Sequence, residues 1–148
     1  MIRLPRPAAR ILLVDASGRT LMFRFTPDDR PPFWCTPGGA VDPGESSEEA
    51  ARRDLREETG LDRDCGQQVA RRQVEFRTIE GVEVDADERY FRVDVDAHEV
   101  NGAGHTVLEQ RVMQSWRWFS REELLAHSEP YFPTDLIALL DATEPTHV

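Results

Sequence analysis

Residues 46–58 limit what this chain can fold into more than any other part of the sequence. Strong helix formers occupy this stretch throughout. Ser46 and Glu49 have the spacing of a capping box, and Gly60 follows the stretch as a C-terminal stop signal. The sequence therefore predicts a helix whose two ends are defined by its own residues.

The predicted helix carries three acids on one face. Asp54, Glu57 and Glu58 stand at positions i, i+3 and i+4, which brings their Cβ atoms within about 5–6 Å of one another. Their repulsion costs roughly 0.2–0.5 kcal/mol per pair, and an acid in the last turn opposes the helix dipole by roughly 0.3–1 kcal/mol. A hard divalent cation removes both penalties, and a solvated acidic face paired with arginines of the same helix is the structural alternative.

The residues before the helix favour a metal site. Gly38 and Gly39 follow Pro37, and a backbone without side chains can approach a ligand closely. The bend at residues 42–44 and the acid Glu45 join this turn to the helix. A glycine turn, an acidic loop and a helix with three acids together make a cradle for a complex of metal and phosphate.

The same segment resembles the signature of the Nudix hydrolase superfamily, of the MutT-like type. That signature is G-x5-E-x7-R-E-U-x-E-E-x-G-U, where U is aliphatic, and here the Nudix box covers residues 39–61. The matching positions are Gly39, Glu45, Arg53, Leu55, Glu57, Glu58, Gly60 and Leu61. One position departs from the signature, because Asp54 stands where the family has the longer Glu.

The resemblance implies roles for the residues of the box. Asp54, Glu57 and Glu58 would bind the metal together with a carbonyl from the Gly39 region, and with Arg53 they form the expected catalytic set. The expected metal is Mg²⁺, with Mn²⁺ as an alternative. Structural support of the box is expected from Gly38, Glu45 and Gly60.

The resemblance leaves the general base open. In the family this residue lies either in the box or in a later loop, so the candidates are Asp54, Glu58, Glu88, Glu99 and Glu109. Glu88 and Glu109 are retained as late candidates for a base or a metal ligand. For each late acid, a plain surface carboxylate is the structural alternative.

Several aromatic and basic side chains are candidates for substrate contacts. Those that could stack on a base or meet a phosphate are Phe33, Trp34, Phe76, Tyr90, Arg24, Arg89 and Arg92. Aromatic residues at such spacings are more often core or loop anchors. From this set we select Arg24, Trp34, Phe76 and Arg89 as the candidate contacts.

The rest of the chain predicts a sheet between two helical layers. Strands are expected at residues 9–14, 20–25, 69–79, 89–96 and 112–119, and the first two form a hairpin. Loops are expected at residues 26–37 and 101–105, and helices after Ser120 and within residues 132–140. Joined to the resemblance, this order predicts an α/β protein with the Nudix fold, an α/β/α sandwich around a central mixed β-sheet.

Composition narrows the setting and the partners. A length of 148 residues with 39% hydrophobic content fits one Nudix hydrolase domain over residues 1–148, and no apolar run is long enough for a membrane span. We expect a soluble, cytoplasmic protein without membrane contact, in which Cys35 and Cys65 are reduced thiols. The net charge of −10 disfavours a nucleic-acid polymer and favours a small nucleotide-like substrate; a homodimer stays open.

The expected activity is Mg²⁺-dependent hydrolysis of a phosphoanhydride (pyrophosphate) bond. The substrate would be a nucleoside triphosphate or a compound linked to a nucleoside diphosphate, and no marker outside the box identifies it. One alternative is a catalytically weak nucleotide-binding or regulatory module on the same fold, which Asp54 permits. Another is an isomerase of the isopentenyl diphosphate type, but the residues around Cys35 do not match the cysteine context of that enzyme.

Overall fold

The computed structural model describes residues 2–145, which contain eight strands and four helices joined by loops. The strands are β1 (Leu4–Val14), β2 (Thr20–Phe25), β3 (Phe33–Cys35), β4 (Gly38–Ala40), β5 (Ala70–Arg77), β6 (Glu83–Asp94), β7 (Met113–Phe119) and β8 (Tyr131–Phe132). The helices are α1 (Ser47–Thr59), α2 (Val107–Val112), α3 (Arg121–Ala126) and α4 (Leu136–Ala142), and a 3-10 turn covers Gly102–Gly104. Within this described part of the chain, no helix has the length and apolar character needed to cross a membrane.

The strands form one mixed sheet centred on β1. The strand order is β5-β6-β1-β2-β3-β8, with β4 paired to β1 and β7 paired to β2. β1 and β6 run parallel along the whole of β1, whereas β1 with β2 and β5 with β6 are antiparallel. A parallel pair needs a long crossover connection. The chain between β1 and β6 supplies it and includes α1.

Apolar side chains leave β1 on both faces, so each face of the sheet supports a separate core. Ile11 and Leu13 pack in one core with Leu55 of α1. Leu12, which points the opposite way on the strand, packs in the other core with Leu136 of α4. This arrangement confirms the predicted sandwich with a central mixed sheet, with α1 on one side and the C-terminal helix on the other.

The expectation of an ordered loop over residues 26–37 is wrong in its last part. Residues Phe33–Cys35 form β3, which pairs antiparallel with β2 and parallel with β8. The prolines of this segment flank these three residues, whose backbone N–H groups stay available. Trp34 accordingly donates its backbone N–H to the carbonyl of Pro130 at 2.9 Å.

The sequence did not predict α2, and two other elements begin at different residues than expected. α2 begins with a capping box formed by Thr106 and Glu109, and it takes Val112 out of the following strand. β6 begins earlier than expected and buries Tyr90 as well as Phe91, because α4 covers the face of the strand that carries Tyr90. α4 starts only at Leu136, after β8. Both cysteines are unpaired, as expected.

Replacing Leu55 tests the packing of α1 on the sheet. Leu55 is fully buried in the core under α1, so we expect Leu55→Ala to lower the free energy of unfolding by about 2–5 kcal/mol. The control is Leu125→Ala on α3, since Leu125 is 76% exposed and should change stability by less than about 0.5 kcal/mol. Urea unfolding measures both. Equal effects of the two variants would contradict this packing.

Candidate active site

The ends of α1 are fixed by the residues that the sequence suggested. Glu49 donates its backbone N–H to Ser46 Oγ at 3.1 Å, and the Glu49 carboxylate accepts from the Ser46 N–H at 3.0 Å. At the other end Gly60 adopts the left-handed conformation, with φ of 80°, and donates its N–H to the carbonyl of Arg56. These caps define where α1 begins and ends. The packing of α1 on the sheet then decides which of its acids point into the protein.

The packing of α1 on the sheet buries two of its three acids. Asp54 is 6% exposed and Glu58 is 3% exposed, whereas the side chain of Glu57 is 34% exposed. Glu58 Oε2 accepts a hydrogen bond from the backbone N–H of Gly38 at 3.0 Å. The helix therefore presents Asp54 and Glu58 to the glycine turn at β4 and leaves Glu57 near the surface.

The glycine turn lies so close to β1 that position 38 leaves no room for a side chain. Gly38 has φ of 135°, and a Cβ at this position would lie 2.1 Å from the carbonyl oxygen of Ala9. A Cβ on Gly39 would lie 3.8 Å from Asp54 Oδ2, which places the Gly39 backbone directly beside that carboxylate. Any other residue at position 38 would have to displace the β1–β4 pairing.

Arg53 joins the loop, β4 and the helix through one guanidinium group. It donates to both carboxylate oxygens of Glu45, at 2.8 and 2.9 Å, and to the carbonyl of Ala40 at 3.1 Å. It also donates to Asp54 Oδ1 at 3.1 Å and to Glu57 Oε2 at 3.3 Å. The hydrogen bonds to Glu45 raise the pKa of Arg53 and lower that of Glu45, so the pair stays charged.

Burial changes the ionisation of the two inward acids. It raises the pKa of Asp54 to about 7, against the opposing charge of Arg53. It also raises the pKa of Glu58 well above its ordinary value, and the charges of Asp54 and Glu109 act in the same direction. Without a cation beside them, the two acids therefore retain protons at a higher pH than exposed carboxylates do.

The donor set at this site fits a divalent cation, although it is not preformed. Among the described residues, no three His, Cys, Asp or Glu side chains already converge as a metal cluster. Asp54 Oδ2, however, is buried without a hydrogen-bond partner, and a buried oxygen of this kind is costly unless a donor or cation meets it. Asp54 and Glu58 could hold the ion, and Glu57 could join them after leaving Arg53.

The three late acids lie in different surroundings. Glu109, on α2, is close enough to Glu58 for its charge to raise the pKa of that residue. Glu88, on β6, is buried and forms an ion pair with Arg10 at 3.0 Å. Glu99 is exposed and lines a surface groove with Trp116 and Trp118. The charge of Glu109 thus acts on an acid of the box.

Two of the selected substrate contacts have structural partners within the fold. Arg24 donates to both oxygens of Glu129, at 3.0 and 2.8 Å, which neutralises its charge. Trp34 is 6% exposed, donates its indole N–H to Glu129 Oε1 at 2.9 Å, and packs edge-on against Phe119. Trp34 belongs to the core on the α4 side of the sheet, so packing accounts for its position, and a substrate contact at Arg24 or Trp34 stays a prediction.

Three further side chains of that larger set also have structural partners. Tyr90 is 1% exposed and belongs to the core on the α4 side. Arg92 donates to the carbonyl of Leu140 at 2.8 Å and holds the end of α4. Phe33 stacks on Phe25 with ring centroids 5.4 Å apart. A packing role explains each of these residues.

The other two selected contacts keep accessible positions. Phe76, on β5, is partly buried and lies beneath the guanidinium of Arg6, 5.6 Å from the ring centroid. Arg89 has a weak contact of 3.5 Å with Asp87 and lines a groove with the loop at residues 41–48. Phe76 and Arg89 are thus more accessible to a substrate than Trp34 is.

Two arginines of β1, Arg6 and Arg10, lie near the acids of the box and were not predicted as site residues. Arg6 Nη1 is buried without a hydrogen-bond partner, and burial together with the charge of Arg10 lowers the pKa of Arg6. Asp54 and Glu88 lie close enough to oppose this shift. Arg6 and Arg10 are four positions apart and so lie on one face of the strand. Two charges on one face of an otherwise apolar strand were the available signal.

The ionisation of Asp54 gives a test in the metal-free protein. Below about pH 4 the carboxyl is protonated in both the folded and the unfolded chain, so its burial adds no penalty. As the pH rises towards the raised pKa of about 7, the unfolded state gains a charge that the folded state resists. We expect Asp54→Asn to become more stable than the unmodified protein over this range, by roughly 2–4 kcal/mol.

Thermal unfolding between pH 4 and 8 in the presence of a chelator measures this difference. Asp62→Asn is the matched control, because Asp62 is exposed and its hydrogen bond with Arg52 lowers its pKa. This control should gain no relative stability as the pH rises, because the contribution of Asp62 is already present above its ordinary pKa of about 4. Parallel stability curves for Asp54→Asn and the unmodified protein would contradict the burial of a charged Asp54.

Known proteins resemble this chain in both sequence and structure. A putative 8-oxo-dGTP diphosphatase of Bacillus subtilis is 69% identical over 29 residues, so this chain matches only 20% of the length of that relative. An RNA pyrophosphohydrolase of Roseobacter denitrificans is 25% identical over 153 residues, which cover 96% of this chain and 94% of the relative. These matches concern a short segment in one case and nearly the whole chain in the other.

The likeness extends to the fold and to the family model. A MutT protein from Methanosarcina mazei Go1 has a TM-score of 0.69 at 21% identity, over 95% of this chain and 94% of that chain, which shows a shared fold. The model of the NUDIX domain matches residues 4–140. Since that match spans nearly all of the described chain, the protein belongs to the NUDIX family.

Proposed function

We propose that this protein is a Mg²⁺-dependent hydrolase that cleaves a phosphoanhydride bond in a small nucleotide substrate. The observation that carries the proposal is the buried pair Asp54 and Glu58, in which Asp54 Oδ2 has no hydrogen-bond partner and faces a glycine turn. Such a pair is unfavourable in a protein that binds no cation. It becomes favourable when a hard cation with oxygen ligands is bound.

The residues of the box divide into ligands and supports. Asp54, Glu57 and Glu58, with the Gly39 backbone, would hold Mg²⁺ or Mn²⁺. The bound ion would neutralise phosphate oxygens and make a water molecule more acidic. Arg53 would keep the acids in place through its contacts with Glu45 and β4. Gly38 and Gly60 would support the two ends of this arrangement.

Two residues outside the box complete the proposed site. Arg6 offers a guanidinium nitrogen without a partner, and an anionic substrate of a protein with a net charge of −10 needs such a contact. Glu109 is the late acid that we favour as general base, because its charge acts on Glu58. Glu88 is less suited, since Arg10 already neutralises it.

A small substrate is proposed because the chain is acidic. Phosphate neutralisation by a basic face, which nucleic-acid polymers need, is not supplied by a net charge of −10. The Roseobacter relative is named for RNA, so an RNA with a 5′-triphosphate belongs among the test compounds. A cytoplasmic location and a single domain over residues 1–148 stay predictions.

A hydrolysis screen tests the proposal directly; release of the phosphate-bearing products is followed by chromatography, because cleavage of a dinucleotide or a diphosphosugar gives two phosphomonoesters and no free phosphate. The compounds are nucleoside triphosphates, diphosphosugars, dinucleotides and a 5′-triphosphorylated oligonucleotide, each with Mg²⁺, with Mn²⁺ and with a chelator. Metal-dependent release from one class of small compound is the expected result.

The second candidate function is a nucleotide-binding module, which the contacts of Arg53 with Asp54 and Glu57 favour. Binding without release in every arm would support that candidate and contradict the hydrolase.

Glu58→Gln separates a metal role from a structural role. Gln can still accept from the Gly38 N–H, so the variant should fold, and without metal it should be at least as stable because a buried acid is removed. Turnover should fall by about 100-fold or more, since a metal ligand is lost. Glu48→Gln, an exposed change on the same helix, is the activity control. A loss of folding in Glu58→Gln would mean that this carboxylate is structural.

Asp54→Glu tests the departure from the signature. The longer side chain should bring its oxygens closer to an ion held by Glu58, so we expect tighter binding of Mg²⁺ and equal or higher activity. Metal titrations followed by rates at saturating metal measure both. If Asp54 is already optimal beside Gly39, the extra methylene group would crowd the site and lower activity several-fold instead.

A further inference from the structure

The carboxyl end of α1 is held by a separate segment, residues 98–106, which we call the clamp loop. The last carbonyls of a helix lack partners within the helix. His98 Nε2 lies 2.8 Å from the carbonyl oxygen of Thr59, and His105 Nε2 lies 2.8 Å from that of Glu58. Asn101 donates its backbone N–H to the Thr59 carbonyl at 2.9 Å. The clamp loop thus binds both terminal carbonyls.

These contacts fix which nitrogen of each histidine carries a proton. A carbonyl oxygen only accepts hydrogen bonds, so His98 and His105 must both donate from Nε2. Each N–H group points at the negative end of the helix dipole, where a donor is favourable. The two side chains differ in one respect. The Thr59 carbonyl keeps the Asn101 donor without His98, whereas His105 is the clamp-loop donor to the Glu58 carbonyl.

The backbones of the clamp loop and α1 are in direct contact. A Cβ on Gly104 would lie 2.7 Å from the carbonyl oxygen of Glu57 and 2.9 Å from its Cα. No side chain fits at this position without moving the loop or the helix. The contact lies at the part of α1 that carries two of the box acids.

The ring of His105 is itself oriented by the sheet. It packs edge-on against Phe23 of β2, with ring centroids 5.8 Å apart, and against Trp116 of β7, at 6.0 Å. Two neighbouring strands therefore set the direction in which its Nε2 points. From this ring a continuous path leads through the Glu58 carbonyl and side chain to the Gly38 N–H on β4.

We propose that His105 is a positioning residue, which keeps the Glu58 carboxylate at the Gly38 amide by holding the Glu58 backbone against β2 and β7. The inference rests on the proposed function in one respect only, that Glu58 binds the metal. His98 stabilises the helix end at Thr59 and does not control Glu58. A general role in capping the helix would make the two histidines equivalent, and this difference is testable.

The experiment compares matched substitutions at the two histidines. In His105→Gln the side-chain amide nitrogen can occupy the position of Nε2, whereas in His105→Asn it is too short to reach the carbonyl. His98→Gln and His98→Asn are the controls. The first readout is the hydrogen-exchange rate and chemical shift of the Gly38 amide in the metal-free protein, which report the hydrogen bond to Glu58. The second readout is the affinity for Mn²⁺, measured by titration from the electron paramagnetic resonance signal of the free ion.

His105→Asn should speed exchange of the Gly38 amide by about fivefold or more and weaken Mn²⁺ binding by a similar factor. His105→Gln should stay within about twofold of the unmodified protein in both readouts, and so should both His98 variants. An unchanged Gly38 amide in His105→Asn, or equal effects of His98→Asn and His105→Asn, would overturn the proposal.

The two readouts also separate this proposal from the proposed function. If the Gly38 amide responds as expected but the unmodified protein binds no Mn²⁺ and hydrolyses none of the screened compounds, the positioning of Glu58 stands and the hydrolase proposal fails. If the unmodified protein binds Mn²⁺ and His105→Asn binds it equally well with an unchanged Gly38 amide, the hydrolase proposal stands and the positioning role fails.

Discussion

Two carboxyl groups that repel each other, those of Asp54 and Glu58, lie buried where α1 meets the glycine turn. Burying like charges is costly, and the surrounding contacts offset that cost only in part. Arg53 donates to Asp54, the Gly38 N–H donates to Glu58, and the charge of Arg10 lies near both acids. These contacts of the box therefore hold two acids inside the protein, beside the glycine turn.

The central strand explains why this site lies at one end of the sheet. On one face of β1, Leu12 and Val14 are core residues covered by the C-terminal helices, while Arg6 and Arg10 stand nearer the start of the same face. Arg10 pairs with Glu88 of the parallel neighbour β6. The first half of β1 thus carries the charges beside the box, and its second half packs against the helices on both sides of the sheet. The same strand therefore stabilises the sandwich and positions the site.

Features that depend on near neighbours in the chain could be predicted well. The capping box of α1 and the placement of Asp54, Glu57 and Glu58 along one side follow from helix geometry alone. The glycine turn follows from the absence of a side chain at Gly38. Near neighbours in the chain could not place Trp34 in the core, because that position depends on how the C-terminal segment packs over the sheet.

By itself, the sequence determined the box, the order of the main strands and the charge that disfavours polymeric partners, because spacing and composition act locally or over the whole chain. Only the tertiary structure decided which acids are buried and which partners they meet. Arg10 and Glu88 are 78 positions apart, and His105 is 47 positions from the carbonyl that it binds. Such contacts depend on how strands and loops pack together, and no periodicity within a single segment encodes that packing.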